Sequence, residues 1–222
     1  MNNNLKQTRP LIIFGAGGHA VSVFNVATSA GFTVFSFIDK NKVGERLLGI
    51  PIIASINALP TLGDYVFAIA VGDNAVRARI FSELSTQFAG LQFPVLVHQS
   101  AILSVNISLG EGTVVMPQAI VGPNSNVGRF CILNSQCSLD HDCTLADFSS
   151  LGPGVITGGG VNIGLRSAVS LGAMVNHRVK IGADTVIGAN SYVNKDVESN
   201  VIAYGTPVKV VRARKMGEAY LN

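Results

Sequence analysis

The amino-acid sequence predicts a chain in two parts, an α/β half-domain over residues 1–97 followed by a parallel β-helix of hexapeptide repeats over residues 98–222. Three observations predict this fold class. An aliphatic residue recurs at every sixth position from Leu109 to Val193. A glycine-rich turn at residues 15–20 joins an apolar run to a helical pattern, and a second apolar run at residues 65–71 ends at another glycine. Apolar runs that alternate with helical patterns indicate α/β structure, and a fixed short period indicates a solenoid.

The first part begins with a βαβ pattern. An apolar run at 11–14 is followed by the turn Gly15–Ala20, a helical pattern that ends at Gly31, and a second strand at 33–38 closed by Asp39. Backbone N–H groups at such a turn can hold a phosphate. Read as G-x-G-x-x-A with an acid 24 residues after Gly15, the pattern could also bind a dinucleotide, and a tight turn that needs glycine only for packing is a third interpretation.

The rest of the first part adds a strand-like insert at 48–53, a buried parallel strand at 65–71, a helix to about Phe88 and a last short strand at 93–97. Gly72, Asp73 and Asn74 follow the buried strand, where open α/β sheets bind ligands. About 95 residues make only half of a full dinucleotide fold, so this part can hold one nucleotide but not both halves of NAD.

The hexapeptide period is nearly unbroken. Stepping by six from Leu109 gives Leu, Ile or Val at fourteen of fifteen positions, with Thr157 the exception. A second register, four residues after each aliphatic position, holds only small or β-branched side chains. Three hexapeptides form one coil of a triangular parallel β-helix, so we expect both registers to point inward. The Gly, Asn and Asp residues that directly follow the aliphatic positions are expected to take the dihedral angles of tight corners.

The three cysteines belong to the inward register. Cys131, Cys137 and Cys143 stand six residues apart, which places them on different sides of the prism. We therefore predict core packing, with no disulfide among them and no metal site. Free thiols and the polar Met1–Pro10 segment, which does not resemble a signal peptide, together predict a cytoplasmic protein.

Composition excludes some partners. Charged residues are 13% of the chain and mean hydropathy is +0.41, yet no apolar run approaches the roughly 18 residues of a membrane span. A solenoid rich in buried Val and Ile explains this apolarity. The net charge of +3 is too small to predict a nucleic-acid partner.

An outward column on the predicted β-helix carries candidate chemistry. Residues 18 apart stack in successive coils, so Pro123, His141, Gly159 and His177 form one column. Coils lie about 4.8 Å apart, which puts His141 and His177 roughly 10 Å apart with a glycine gap between them. Asp142 can support His141 only if the chain turns there, and Asp140 is a rival partner. Simple solvent exposure of the histidine is the alternative.

The period fails after Val193. A turn-rich segment at 201–209 follows, and Lys209, Arg212, Arg214 and Lys215 put four cations within seven residues. This cluster is either a solvated helix end or a clamp on a polyphosphate.

Taken together, the motifs resemble a bacterial family of sugar acetyltransferases. It includes the sialic acid O-acetyltransferase-like proteins and the N-acetyltransferases of nucleotide-linked 4-amino-4,6-dideoxy sugars in the bacillosamine and perosamine pathways. The resemblance covers nearly the whole chain, through Gly15–Ala20, Phe37–Asp39, Gly72–Asn74 with Arg77, Pro94–Ala101, the hexapeptides, His141–Cys143, and Gly205 with Pro207 and Lys209.

The resemblance implies a Rossmann-like nucleotide-sugar-binding domain on a left-handed β-helix, assembled as a homotrimer with active sites between subunits. It implies that His141 is the general base and that Asp142 enhances its basicity. The implied contacts to the nucleotide-linked amino sugar are Gly17, Gly18, His19, Asp39, Lys40 and Gly72. The acetyl-CoA site is expected to comprise Ser150, Gly159, Leu171, Ala189 and Lys209. Ser150 stands where some relatives carry His, and Asp142 where some carry Glu.

The expected reaction suits these residues. A sugar amine must lose a proton before it attacks a thioester, and a positioned neutral imidazole can accept that proton. No cysteine or serine nucleophile stands out, so direct transfer from acetyl-CoA to the 4-amino group is favoured over a covalent intermediate. Two other functions of the protein stay open: it could be an O-acetyltransferase of a sialic acid-like sugar or a non-catalytic hexapeptide scaffold. A nicotinamide-dependent oxidoreductase is disfavoured by the size of the first part.

Overall fold

The half-domain contains a five-stranded sheet. We describe residues 9–220 of the protein from a computed structural model. The strands are β1 (Leu11–Phe14), β2 (Val34–Ile38), β3 (Arg46–Leu47), β4 (Ile50–Ile53) and β5 (Val66–Ile69), and their order across the sheet is β3-β4-β2-β1-β5. Strand β1 is parallel to both of its neighbours, and β3 and β4 form an antiparallel hairpin at the edge. The predicted βαβ unit and the buried parallel strand are confirmed.

Two helices cover this sheet. Helix α1 (Gly18–Ser29) buries Ala20, Val23, Val26 and Ala27 against it. Helix α2 spans Asn74–Gln87, and Asp73 is its N-cap. The Oδ1 atom of Asp73 accepts hydrogen bonds from the backbone N–H of Ala75 and Val76, both at 3.0 Å. The acid after Gly72 is therefore an N-cap that fixes the start of the second helix. Two short 3₁₀ turns, Ile56–Ala58 and Leu62–Asp64, connect β4 to β5.

The remainder is a triangular parallel β-helix in which each strand pairs with the strand 18 residues further along. The Ile120 face contains β7 (Ile102–Leu103), β10 (Ile120–Val121), β13 (Ser138–Leu139), β16 (Ile156–Thr157), β19 (Met174–Val175) and β22 (Tyr192–Val193). The Asn126 face contains β8 (Ser108–Leu109), β11 (Asn126–Val127), β14 (Thr144–Leu145), β17 (Asn162–Ile163) and β20 (Lys180–Ile181). The Ser150 face contains β6 (Leu96–Val97), β9 (Val114–Val115), β12 (Ile132–Leu133), β15 (Ser150–Leu151), β18 (Ala168–Val169), β21 (Val186–Ile187), β23 (Val201–Tyr204) and β24 (Lys209–Ala213).

Both inward registers are confirmed. From Val115 onward the aliphatic positions form one continuous core with the small residues of the second register. Thr157, the one exception in the aliphatic series, is also buried, and its hydroxyl accepts a hydrogen bond from the backbone N–H of Asp140 at 3.0 Å. Cys131, Cys137 and Cys143 are free and fully buried. Burial raises the pKa of the Cys137 thiol to about 12, which makes this side chain an inert core residue.

The sequence analysis predicted the wrong position in the hexapeptide for the residues that adopt the corner dihedral angles. Left-handed backbone angles occur three residues after every position of the series from Leu109 to Ile187, as at Asn124 (φ 60°) and Asp142 (φ 57°), and not at the residue that follows it directly. The glycines in that next position serve close packing, because a Cβ on Gly122 would lie 2.6 Å from the carbonyl carbon of Asp140 in the adjacent coil. Gly, Asn and Asp satisfy these two requirements at different sites of the hexapeptide.

Two other local predictions need correction. The last strand expected at 93–97 is shorter, and β6 pairs with β9, so it is the first strand of the Ser150 face and does not join the half-domain sheet. The turn-rich segment after Val193 contains β23 and β24, which form an antiparallel hairpin at the end of the same face. The basic cluster therefore lies on and just beyond a strand, and not at a helix end.

Arg77 connects the half-domain to the β-helix. This fully buried guanidinium donates to the carbonyl oxygens of Phe130 (2.8 Å) and Phe148 (2.9 Å) in the β-helix, and to those of Val71 (2.9 Å) and Gly72 (3.1 Å) in the half-domain. Around it, aromatic rings from both parts pack together, namely Phe81, Phe93, Phe130 and Phe148. This contact fixes the loop after β5 against the Ser150 face.

Neither helix within residues 9–220 is long and apolar enough to cross a membrane.

Candidate active site

His141 lies at the corner between the Ile120 face and the Asn126 face. The left-handed conformation of Asp142 turns the chain back, and the His141 Nδ1–H donates to Asp142 Oδ2 at 2.7 Å. Asn124, one coil away, donates to Asp142 Oδ1 at 3.2 Å. Asp140 instead accepts the backbone N–H of His141 at 2.7 Å. Of the two candidate partners, Asp142 is therefore the one that binds the imidazole.

The electrostatics of this pair favour a basic imidazole. The hydrogen bond to Asp142, with the nearby charge of Asp140, raises the pKa of His141 above its usual value. The same hydrogen bond lowers the pKa of Asp142. Since Nδ1 carries the proton that Asp142 accepts, the lone pair of the neutral ring is on Nε2. About half of the His141 side chain is exposed, so Nε2 can accept a proton from a bound molecule.

The predicted glycine gap is present. A Cβ on Gly159 would lie 2.4 Å from both Cε1 and Nε2 of His141, so only glycine leaves room for the ring. On the other side, the backbone N–H of Gly159 donates to His177 Nδ1 at 3.1 Å. A cavity of about 600 Å³ opens at this corner, lined by His141, Asp142, Gly159, Gly160, His177 and Arg178. The two histidines thus lie on opposite sides of one glycine, in the predicted column.

A second cavity, of about 210 Å³, lies between the half-domain and the Ser150 face. His19 and Gly72 line it from the half-domain, Ser150 and Leu171 from the β-helix, and Tyr220 from the C-terminal segment. Residues expected at the nucleotide sugar thus share one cavity with residues expected at acetyl-CoA.

His19 is the unusual group in this second cavity. Burial, and secondarily the charge of Arg77, lowers the pKa of His19 to about 4, so the ring is neutral at physiological pH. Its Nε2 is buried and has no hydrogen-bond partner among the described residues. A buried polar atom without a partner is costly, and the His19 side chain lines a cavity that a ligand can fill.

A third cavity, of about 780 Å³, lies at the carboxyl ends of β1 and β2, and Gly15, Asp39 and Lys40 line it. Asp39 Oδ1 accepts the backbone N–H of Asn41 at 3.0 Å. Lys42, which sequence reasoning missed, donates from Nζ to the carbonyl oxygen of Ala16 at 2.9 Å and so ties this loop to the glycine-rich turn.

The other site residues occupy exposed positions. Gly17 and Gly18 are exposed at the start of α1, where Gly17 is the N-cap and offers no side chain to the free N–H groups. Leu171 and Ala189 are exposed at the corner between the Ser150 and Ile120 faces, in adjacent coils joined by a hydrogen bond from Asn190 N to Leu171 O at 2.9 Å. Lys209 is exposed at the start of β24.

Two of the four cations in the basic cluster, Arg212 and Arg214, bind other groups of the protein. Arg212 pairs with Glu218 at 2.6 Å. Arg214 is buried, donates to the carbonyl oxygens of Asp184 (2.8 Å) and Glu218, and lies over the ring of Tyr220. Arg214 therefore has a structural role, and Lys209 and Lys215 are the exposed cations of this set without an ion pair among the described residues.

Sequence reasoning missed two residues of the second cavity and its surroundings. Arg77 was noted only as part of a motif, because nothing in the sequence shows that it reaches the β-helix. Tyr220 lies outside every periodic pattern. Asn124 could have been found, since it stands 18 residues before Asp142 and so belongs to the adjacent coil.

Known proteins match this chain in sequence and in fold. Residues 10–84 match the family model described as the PglD N-terminal domain. A crystal structure of a histidine-to-alanine variant of GDP-perosamine N-acetyl transferase from Caulobacter crescentus, in complex with CoA and GDP-perosamine, is 33% identical with a TM-score of 0.86, over 91% of this chain and 97% of that one. The acetyltransferase domain of PglB from Neisseria gonorrhoeae, in complex with acetyl coenzyme A, is 30% identical with a TM-score of 0.86, over 92% and 100%.

Among curated sequences, UDP-N-acetylbacillosamine N-acetyltransferase of Bacillus subtilis is 32% identical over 109 residues, which are 47% of this chain. The matched region spans 50% of that enzyme, so the chain covers about half the length of this curated relative.

A Rossmann-like half-domain on a left-handed β-helix, with an exposed His–Asp pair at a corner, defines the class of hexapeptide-repeat acyltransferases. Within that class, the chain belongs to the bacterial sugar acetyltransferase family that includes the nucleotide-linked amino-sugar N-acetyltransferases of the perosamine and bacillosamine type.

Proposed function

We propose that this protein transfers acetyl from acetyl-CoA to the 4-amino group of a nucleotide-linked 4-amino-4,6-dideoxy sugar, with His141 as general base. The observation that carries the proposal is the His141–Asp142 pair, whose Nδ1–Oδ2 hydrogen bond of 2.7 Å leaves Nε2 as the basic nitrogen beside the gap at Gly159. The relative from Caulobacter crescentus, crystallised with CoA and GDP-perosamine, supports this pair of substrates.

The chemistry needs one base and no covalent enzyme intermediate. His141 Nε2 takes a proton from the sugar ammonium, and the freed amine attacks the carbonyl carbon of the thioester. The tetrahedral intermediate then breaks the carbon–sulfur bond, and the departing CoA thiolate takes up the second proton that the nitrogen loses. The products are the amide and the CoA thiol, and His141 releases its proton to solvent. Asp142 holds the imidazole in the reactive tautomer and stabilises the imidazolium, and such general-base catalysis contributes about 10²–10⁴-fold.

We further propose that two subunits build each site. His141 lies at the corner opposite the Ser150 face, on which the half-domain packs, so one chain cannot bring His141 to a sugar held by its own half-domain. The outward side chains of the Ile120 face include four exposed apolar residues, interrupted only by Ser138 between the second and the third, namely Ile102, Ile120, Ile156 and Met174. Exposed apolar patches of this kind mark protein interfaces, and this face borders the His141 corner. A homotrimer joined through it would bring His141 of one subunit to the half-domain of the next.

The substrate contacts follow from this arrangement. The third cavity, with Asp39 and Lys40, takes the nucleotide, and Gly17 and Gly18 offer backbone N–H groups to its phosphates. The sugar enters the second cavity, beside His19 and Gly72. Acetyl-CoA runs along the corner marked by Leu171 and Ala189. Its acetyl end lies at Ser150 and at Gly159 of the adjoining subunit, and Lys209 pairs with a CoA phosphate.

An acetyl-transfer assay tests the proposal. Purified protein and acetyl-CoA are incubated with UDP-, GDP- and dTDP-linked 4-amino-4,6-dideoxy sugars, and amide formation and CoA release are both measured. We expect one-to-one CoA release and amide formation with at least one of these sugars. Transfer to a hydroxyl of free sialic acid, and to no amino sugar, would contradict the N-acetyltransferase proposal and favour O-acetylation.

A further inference from the structure

The segment 212–220, which we call the C-terminal strap, folds back over the junction of the two parts. Arg212 pairs with Glu218, and the backbone N–H of Lys215 donates to Glu218 Oε2 at 3.0 Å. The hydrogen bond from Arg212, and then that from Lys215 N, lowers the pKa of Glu218 to about 2. The backbone N–H of Arg214 donates to the carbonyl oxygen of Asn200 at 2.7 Å. The strap is thus tied both within itself and to the β-helix.

Tyr220 connects the strap to both parts of the molecule. Its backbone N–H donates to Asp73 Oδ2 at 3.0 Å, while the other oxygen of Asp73 caps α2. Its hydroxyl lies 3.3 Å from the carbonyl oxygen of Gly72 and 3.3 Å from Ser150 Oγ. Arg214 lies over its ring, 5.8 Å from the centroid. Tyr220 therefore stands at the point where residues expected at the sugar meet residues expected at acetyl-CoA.

The cavity that Tyr220 lines has the size and polarity for one sugar ring. Its volume of about 210 Å³ is below the roughly 300–1,000 Å³ of pockets for drug-sized ligands, so it is too small for a nucleotide. Ile132, Ala168 and Leu171 supply apolar walls, which suit a deoxy sugar with its methyl group.

Two side chains of this cavity have hydrogen-bonding capacity to spare. His19 Nε2 is buried without a partner among the described residues. The Tyr220 hydroxyl has one proton, and both of its contacts are at 3.3 Å, beyond the 2.5–3.0 Å of well-formed O–H···O hydrogen bonds. The hydroxyl can therefore turn to a ligand at little cost.

We propose that Tyr220 is a specificity-determining residue for the sugar: its hydroxyl binds a ring hydroxyl of the acceptor, in the cavity that also holds His19 Nε2, and its aromatic ring sets the depth of that cavity. This inference rests on the proposed function and extends it to a residue of the strap. Removal of the phenol should weaken binding of the sugar and leave the binding of acetyl-CoA and the chemical step nearly intact.

The test compares Tyr220→Phe and Tyr220→Ala with the wild type, and Tyr65→Phe is the matched control. Tyr65 is a buried tyrosine of the half-domain that packs against Phe35, away from the cavity. For Tyr220→Phe we expect about a tenfold rise in KM for the nucleotide sugar, the effect of one lost hydrogen bond. KM for acetyl-CoA and kcat should stay within about twofold. Tyr220→Ala should in addition accept larger sugars, and Tyr65→Phe should match the wild type.

Three results would overturn the inference. An unchanged KM for the sugar in Tyr220→Phe, or a rise only in KM for acetyl-CoA, or equal rises for both substrates would remove Tyr220 from the sugar site. If Tyr220→Ala fails to fold, Tyr220→Phe still decides, because it keeps the ring and its packing. A wild type that acetylates no nucleotide sugar would remove the proposed function and this inference together, whereas active enzyme with a wild-type-like Tyr220→Phe would remove the inference alone.

Discussion

The orientation of His141 depends on a single backbone conformation at the next residue. In an extended strand, neighbouring side chains point to opposite sides, so Asp142 could not reach the imidazole. The left-handed φ of 57° at Asp142 brings its carboxylate to 2.7 Å from Nδ1. Asp is among the few residues that adopt this conformation at low cost. The same residue therefore makes the corner and binds the imidazole.

The raised pKa of His141 predicts the pH dependence of catalysis. Only the neutral imidazole can accept a proton, so kcat/KM should fall as pH drops through the pKa of His141. Because Asp142 raises that pKa, the midpoint should lie above the ordinary histidine value of about 6.5. In Asp142→Asn the midpoint should move down, and kcat should fall less than in His141→Ala, which should lose about 10²–10⁴-fold. Initial rates over a pH series measure all of these effects.

His177 provides the matched control, because it lies in the same column on the other side of Gly159. His177→Ala should keep both the rate and the acid limb of the wild type. An acid limb that persists in His141→Ala, or one that vanishes in His177→Ala, would show that a different group is the base.

Sequence reasoning predicted the residues of this corner but not their contacts. The 18-residue spacing placed His141, Gly159 and His177 in one column, because the coil length is fixed by the repeat. It could not choose between Asp140 and Asp142, since that choice depends on one dihedral angle. Tyr220 could not be predicted at all, because its place depends on a strap that follows no repeat.

At the scale of secondary-structure elements, α2 joins the half-domain to the β-helix. Arg77 projects from its first turn and binds carbonyl oxygens on both sides, and Asn74 donates from Nδ2 to the carbonyl oxygen of Ser167 at 3.0 Å. The carbonyl groups of Phe130 and Phe148 lie at coil corners outside the strand ladders, whereas the carbonyl oxygen of Ser167 also accepts the backbone N–H of Ser150 at 3.0 Å. The loop of Gly72 is thereby held against the cavity that Ser150 and Tyr220 line.

Loss of Arg77 should destabilise the molecule strongly. Arg77→Met removes the donors to four buried carbonyl oxygens and to Asn74 Oδ1. Each unsatisfied buried group costs about 1–3 kcal/mol, so we expect the free energy of unfolding to fall by roughly 3 kcal/mol or more, as measured by denaturant titration. Arg79→Ala is the control on the same helix. Its contact with Glu83 is exposed and contributes less than about 0.5 kcal/mol. An Arg77→Met variant as stable as the control would contradict this role of the arginine.

The elements themselves were predictable to different degrees. Strands β1 and β5 follow from continuous apolar runs, β2 from a largely apolar run that Ser36 interrupts, and the β-helix from its period. Strand β6 was assigned to the wrong sheet, because a short apolar run does not reveal its partner. The hairpin of β23 and β24 was read as turns, since its hydrogen bonds form at the end of the Ser150 face and replace the hexapeptide pattern.

At the scale of the whole molecule, the three cavities separate the tasks of the proposed reaction. The cavity proposed for the nucleotide lies at the carboxyl ends of β1 and β2, the cavity proposed for the sugar lies against the Ser150 face, and the proposed base lies at the opposite corner. Under this proposal, the half-domain and His141 of one chain serve different active sites. In a cyclic trimer with one kind of heterologous interface, each subunit contributes its half-domain to one site and His141 to another.

Subunit complementation tests this central claim most directly. One variant is His141→Ala, and the other is Gly17→Trp, which puts a bulky side chain on the glycine-rich turn that is proposed to bind the nucleotide phosphates. Gly17 suits this purpose because its φ is −95° and a Cβ there meets no atom within 4 Å, so the larger side chain does not strain the fold. The two variants, which carry different affinity tags, are produced separately and together, and acetyl transfer is measured on doubly tagged oligomers.

Each variant alone should be nearly inactive. In every mixed trimer, one subunit with an intact half-domain meets a neighbour with an intact His141, so turnover of the doubly tagged oligomers should return to about a third of the wild-type rate. Mixed oligomers that stay as inactive as the two parents would contradict the claim, because a base that serves its own half-domain cannot be rescued by a neighbour.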